Sequence, residues 1–148
     1  ENIINVYAGG KQWRPFIHVF DVARAYEKIL KAPITLVNKQ IFNIGSNEQN
    51  YQLIDVATII SHEFPKTKIR VISKSVELRS YKVSFDKVKN ILNFFPSATV
   101  EDGVKEIKVA LEKDIISFDI KTITVKFYKY LLDVDMLLQP IKYKNVLF

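Results

Sequence analysis

Pro33, Pro65 and Pro96 each close a run of helical periodicity, and extended apolar stretches lie between those runs. This alternation constrains the fold more than any other feature, because proline cannot continue a helix and the segment beyond it must start afresh. Residues 12–20 are rich in aromatic and β-branched types and read as extended, with Pro15 marking an edge or loop-like position. Asp21 then suits a helix N-cap, with Val22, Ala23, Tyr26, Ile29 and Leu30 at helical spacing before Pro33. Residues 40–44 read as a short buried strand stopped by Gly45, and Asn50 suits the cap of a second helix carrying Leu53, Val56, Ala57 and Ile60. Residues 67–73 alternate as a strand. Ser84 suits the cap of a third helix through Phe85, Val88, Ile91, Leu92 and Phe95. Thr99-Val100-Glu101-Asp102 reads as a capping box, with Asp in place of Glu, opening a fourth helix. Strands and helices in this order predict an α/β fold.

The tail, residues 115–148, differs: it is rich in Ile, Leu, Phe, Tyr and Lys, with no Gly and Pro140 as its one proline. Val125, Tyr128, Leu131 and Leu132 predict one amphipathic helix whose face suits packing on the core or on a partner. No apolar run nears the roughly 20 residues a membrane-spanning helix needs. The absence of Cys excludes disulfide scaffolds, thiol catalysis and cysteine zinc sites, and it suits a reducing compartment. The two histidines, His18 and His62, are widely spaced, which makes a histidine metal site a poor reading. No signal-peptide pattern is visible, and the chain opens at Glu1 in mid-pattern, so a piece of a longer, cytoplasmic protein is expected.

The net charge is +6, and apart from Arg14, Arg24, Arg70 and Arg79 its cations are Lys interleaved with acids. Nucleic-acid binders concentrate positive charge in a stripe, so a solvated lysine-rich surface is the expected reading and nucleic acid is not the expected partner. A phosphorylated small ligand needs only one or two arginine forks. Gly9-Gly10 is the one glycine cluster, and no P-loop or dinucleotide fingerprint follows it. Taken alone, the residues describe an α/β domain with a few Arg suited to an anionic ligand and no catalytic constellation.

Four landmarks in order say more. Residues 10–25, with Arg14, Phe16-Ile17, His18-Val19 and Asp21 opening a helix, closely resemble a stretch of the NAD-dependent epimerase/dehydratases, the extended short-chain dehydrogenase/reductases. Ile41-Phe42-Asn43-Ile44-Gly45 is similar to that family's apolar strand ending in Asn-x-Gly. Arg79 to Lys87, leading to Phe94-Phe95-Pro96, resembles its next landmark, and Thr99 to Glu106 its closing helix cap with acid, Gly and acid.

The resemblance covers the C-terminal part of such an enzyme. It implies an incomplete Rossmann-type α/β fold: residues 1–114 as the substrate-binding portion and residues 115–148 as a helical C-terminal extension. The ligand it implies is a nucleotide-diphosphate sugar, gripped by Arg14 and by a second loop from Lys74 to Tyr81 in which Glu77 and Arg79 are the candidate side chains. Two cations around two phosphates would hold the sugar rigidly for hydride transfer. The Gly-rich NAD turn and the catalytic Tyr-x-x-x-Lys pair belong to the family's N-terminal half. This chain is therefore expected to carry neither, to hold no NAD alone, and to be inactive and marginally stable without that half. A homodimer is expected only of a full-length protein. The alternative is a non-catalytic, degenerate homologue that acts by binding or interaction.

Overall fold

Strand β1 (Ile3–Tyr7) runs parallel to β2 (Lys68–Ile72), with Ile3 opposite Lys68 and Tyr7 opposite Ile72. Parallel neighbours need a long crossover, and this one contains the helices α1 (Val19–Lys31) and α2 (Leu53–Glu63), with a single helical turn, Ile34–Val37, between them. The computed structural model describes residues 2–73, 79–144 and 146–147. The fold is α/β, as the alternation predicts, with the chain divided into two units, Glu1–Lys108 and Val109–Phe148.

In the first unit a second, antiparallel pair joins Trp13–Pro15 to Asn50–Gln52, in the register Trp13–Gln52, Arg14–Tyr51 and Pro15–Asn50. The core gathers Ala25 of α1 with Phe85, Val88, Leu92 and Phe94, the middle two from α3 (Asp86–Leu92). Ile29, Phe42, Ile44 and Val83 pack around it. Helix α4 (Val100–Glu112) begins with the predicted box: Asp102 Oδ2 accepts the Thr99 N–H at 2.8 Å, and the Thr99 hydroxyl accepts the Asp102 N–H at 3.2 Å. In the second unit, a turn capped by Asp119 leads into α5 (Thr124–Leu138), which carries all four residues of the expected amphipathic helix. A short antiparallel pair, Lys142–Tyr143 with Val146–Leu147, follows.

Several expectations are corrected. The N-cap of α1 is His18, whose Nδ1 accepts the Phe20 N–H at 3.2 Å; Asp21 lies inside the first turn and is fully buried. Helix α2 is capped by Gln52, in a reciprocal box with Asp55, while the Asn50 side chain is engaged with the Val83 backbone. Helix α3 starts one residue after the Phe85 cap and stops at Leu92, since Asn93 turns left-handed (φ 48°), and this sends Phe94 rather than Phe95 into the core. Residues 40–44 form no strand among the described residues. No described strand lies beside them to complete a ladder, and Ile41 is 83% exposed. Their backbone is tied instead by side chains, Lys87 Nζ donating to the Ile41 carbonyl at 2.8 Å.

Candidate functional site

Arg14 sits in the middle of the antiparallel pair, opposite Tyr51. Its side chain folds back toward the segment that follows the undescribed residues 74–78. One guanidinium nitrogen donates to the Trp13 carbonyl at 2.8 Å and to the Arg79 carbonyl at 2.6 Å, and the guanidinium carbon lies 5.0 Å from the centre of the Tyr81 ring. Arginine suits this position because its planar fork can hydrogen bond in its plane while a ring covers its face.

The segment from Arg79 to Val83 is stitched to this edge residue by residue. Ser80 Oγ accepts the Trp13 N–H at 3.0 Å, and the Tyr81 N–H donates to the Trp13 carbonyl at 3.3 Å. Lys82 Nζ lies 3.6 Å from the centre of the Trp13 ring. Asn50 closes the far end twice, donating to the Val83 carbonyl at 3.0 Å and accepting the Val83 N–H at 2.9 Å. Of the residues singled out from the sequence, Arg14 and Arg79 are thus brought to one place, and Glu77 lies outside the described residues. Sequence reasoning missed Ser80, Lys82 and Asn50 as the groups that hold the segment, because their contacts join positions far apart in the chain.

Two cavities lie close to this edge in sequence, and Arg14 lines neither. One, about 450 Å³, is apolar and runs along β1 and α2, between Ile4, Val6, Phe16, Leu53 and Ile60. The other, about 190 Å³, lies between Phe16, Val56 and the first turns of α4. Gln12 and Gln49, both nine-tenths buried, border one cavity each, and each has a side-chain oxygen without a hydrogen-bond partner.

The other polar groups near the site hold elements together. His18 Nε2 lies 2.7 Å from Glu106 Oε2, and since Nδ1 already accepts the Phe20 N–H, the neutral ring carries its proton on Nε2 and donates it to Glu106. Asp21 accepts from the backbone N–H groups of Ser97 and Ala98, from the Ser97 hydroxyl and from Arg24. Burial pushes its carboxyl pKa up, but these donors outweigh it and hold the carboxyl below the usual carboxylate range. Among the described residues no cluster of three or more His, Asp or Glu could hold a metal ion, and no helix is long and apolar enough to cross a membrane.

Gly9-Gly10 does not form a pyrophosphate turn of the dinucleotide-binding kind. The glycine pair leads into the strand at Trp13, not into the start of a helix, which is where a phosphate finds free N–H groups. Gly10, at φ +72°, is required by packing: a Cβ there would stand 2.6 Å from Val6 Cγ1 and 2.8 Å from Ile54 Cβ. The sequence expectation of no Tyr-x-x-x-Lys needs correcting, because Tyr7 and Lys11 have that spacing. Residues four apart are neighbours on one face of an α-helix, whereas on a strand they share a face but stand about 13 Å apart. Tyr7 ends β1, and Ala8, Gly9 and Gly10 all take positive φ between it and Lys11, so no helix face joins the two.

Residues 2–45 match the family model described as NAD dependent epimerase/dehydratase family. Among solved structures, Pal from Bacillus thuringiensis is 27% identical, with a TM-score of 0.62 over 76% of this chain and 36% of that one. The dTDP-glucose 4,6-dehydratase of Bacillus anthracis str. Ames, solved in complex with NAD, is 25% identical, with a TM-score of 0.59 over 76% of this chain and 35% of that one. The UDP-glucuronic acid 4-epimerase of Bacillus cereus, solved with UDP-glucuronic acid and NAD, shares the fold at 19% identity and a TM-score of 0.58, over 68% of this chain and 32% of that one. The chain spans about a third of the length of each. No curated protein matches it.

Proposed function

We propose, from its similarity to the NAD-dependent epimerases and dehydratases, that the chain is the nucleotide-sugar-binding, C-terminal part of such an enzyme. In this reading residues 1–114 form the substrate-binding portion and residues 115–148 a helical extension. Arg14 grips the diphosphate, and Arg79 and Glu77 are the further substrate-binding side chains. NAD and the catalytic acid/base pair come from a separate N-terminal half, and the whole protein works in the cytoplasm.

The observation that carries the reading is the bond from the Arg14 guanidinium to the Arg79 carbonyl, which joins two positions 65 residues apart. The family resemblance had assigned those two positions to one ligand. Tyr81, half exposed beside them, adds an aromatic face. A substrate held by this edge needs no proton transfer from this chain; its task is orientation, which is worth most when a hydride must move over a short, fixed distance.

Calorimetric titration with dTDP-glucose and with UDP-glucuronic acid tests the proposal. Binding is expected to weaken at least about tenfold in Arg14→Ala, the loss of a charge-assisted hydrogen bond. Arg14→Lys should fall between, since an ammonium keeps the charge and loses the fork. No sugar-nucleotide binding by the folded chain, or equal binding by wild type and Arg14→Ala, overturns it. So does salt-sensitive RNA binding in place of sugar-nucleotide binding.

A further inference from the structure

Helix α5 carries apolar residues around most of its circumference, with Tyr130, Leu131 and Leu137 also exposed, and two of its sides differ in burial. Phe127, Val134 and Leu138 are half-buried, whereas Val125, Tyr128, Leu132 and Met136 are 68%, 63%, 66% and 66% exposed. The spacings in the second set, three, four and four, place its members on one stripe of the helix. An exposed stripe of this kind is the geometry of a helix seam awaiting a partner.

Lys129 and Asp133 flank the same side of that stripe, are both exposed, and enter none of the described ion pairs. Within one helix, a cation four residues before an acid is the weaker orientation for pairing. Asp135, on the other flank, is already held by Lys142 and Gln139.

We infer that α5 is a self-association helix whose occupant is the α5 of a second copy, packed antiparallel about a two-fold axis between Tyr130 and Leu131. That axis sets Val125 against Met136 of the other copy and Tyr128 against its Leu132. It also brings Lys129 to Asp133 of the other copy, twice over. A two-fold contact requires such self-complementarity, with each residue meeting the residue that its own counterpart meets. A parallel arrangement lacks it, since Lys129 would then face the other copy's opposite flank, where Asp135 is already held by Lys142 and Gln139. The inference does not depend on the nucleotide-sugar reading.

Analytical ultracentrifugation of the whole chain, from about 1 to 300 μM to bracket the affinity of a small interface, tests it. A reversible monomer–dimer equilibrium is expected. Leu132→Glu should weaken it at least about tenfold, as a charge buried in the seam would. Lys129→Glu and Asp133→Lys should each weaken self-association. The two single variants mixed together, and the double variant K129E/D133K alone, should restore it. All substitutions lie on exposed positions, and far-UV circular dichroism verifies that α5 still forms. A monomer at every concentration overturns the inference, whether the stripe is then bare, covered by the rest of the chain, or reserved for a different protein. A dimer indifferent to Leu132→Glu overturns it too, as does failure of the double reversal to rescue. Non-specific aggregation would show no such rescue and counts against it equally.

Discussion

Asp21 and Ser97 are 76 positions apart and are joined by three hydrogen bonds. The Ser97 N–H reaches both carboxylate oxygens, at 3.0 and 2.9 Å, and the Ser97 hydroxyl reaches Oδ1 at 2.9 Å. The Ala98 N–H adds a fourth at 2.9 Å, and Arg24 supplies the opposing charge. A fully buried carboxylate survives folding only when donors replace its lost water. The pair therefore fixes α1 against the segment that leads into α4, and with it the strand edge bearing Arg14.

Asp21→Asn tests that clamp. It turns one acceptor oxygen into an amide nitrogen facing N–H donors, and the expected loss is about 2–4 kcal/mol. Calorimetry should show a clear fall in Tm; an unchanged Tm would contradict the role given to this carboxylate.

The clamp also carries a pH dependence. The folded-state pKa of Asp21 is lowered because its hydrogen bonds outweigh the opposing effect of burial. As pH falls, the unfolded chain takes up the proton first. The stabilisation is full above the unfolded carboxylate value of about 4 and is lost as pH drops through the lower folded-state value. Asp86, lowered by the Ser84 and Asn47 side chains, and Asp102, lowered by Thr99, act with the same sign. Tm should be flat near neutrality and decline below about pH 4, more steeply in wild type than in Asp21→Asn. A Tm that climbs on acidification would refute the assignment.

Asn50→Ala should release the segment that carries Arg79. It removes both bonds to Val83 and leaves that residue's N–H and carbonyl unpaired, a cost of about 1–3 kcal/mol. Hydrogen exchange at Tyr81 and Val83 should accelerate, and the nucleotide-sugar binding proposed for Arg14 should weaken with it. Asn50→Asp keeps the acceptor and loses the donor, so it should fall between. Unchanged exchange at both amides would show that the segment is held by something else.

What the sequence revealed, and what it hid, follows from the range of each interaction. The Thr99–Asp102 box and the parallel strand at Lys68–Ile72 were legible because propensity and capping act over a few residues. Asp21 looked like a cap because Asp before an apolar helical run usually is one; its true partners at Ser97 and Ala98 are remote and leave no local trace. Residues 40–44 had a strand's composition, but a strand is a property of a pair, and none is described beside them. The Tyr7–Lys11 spacing shows the opposite failure, a matching pattern emptied by the backbone between its ends. The nearness of Arg14 to Arg79 could come from a family resemblance alone, since nothing local predicts a contact across 65 positions.

Gly45, the end of the Asn-x-Gly landmark, gives a last and sharper test. A Cβ at this position would lie 2.6 Å from Phe85 Cε1 and 2.7 Å from Cζ, and Phe85 is itself packed in the core with Val88 and Leu92. The ring cannot retreat without displacing those neighbours, so Gly45→Ala should cost about 1–3 kcal/mol by overpacking. Phe85→Leu removes the atoms that collide and leaves a small cavity. The double variant should therefore lose less stability than the two single variants summed, a coupling that a double-mutant cycle measures in urea. If the effects simply add, or if Gly45→Ala is as stable as wild type, then the glycine answers to something other than this close approach.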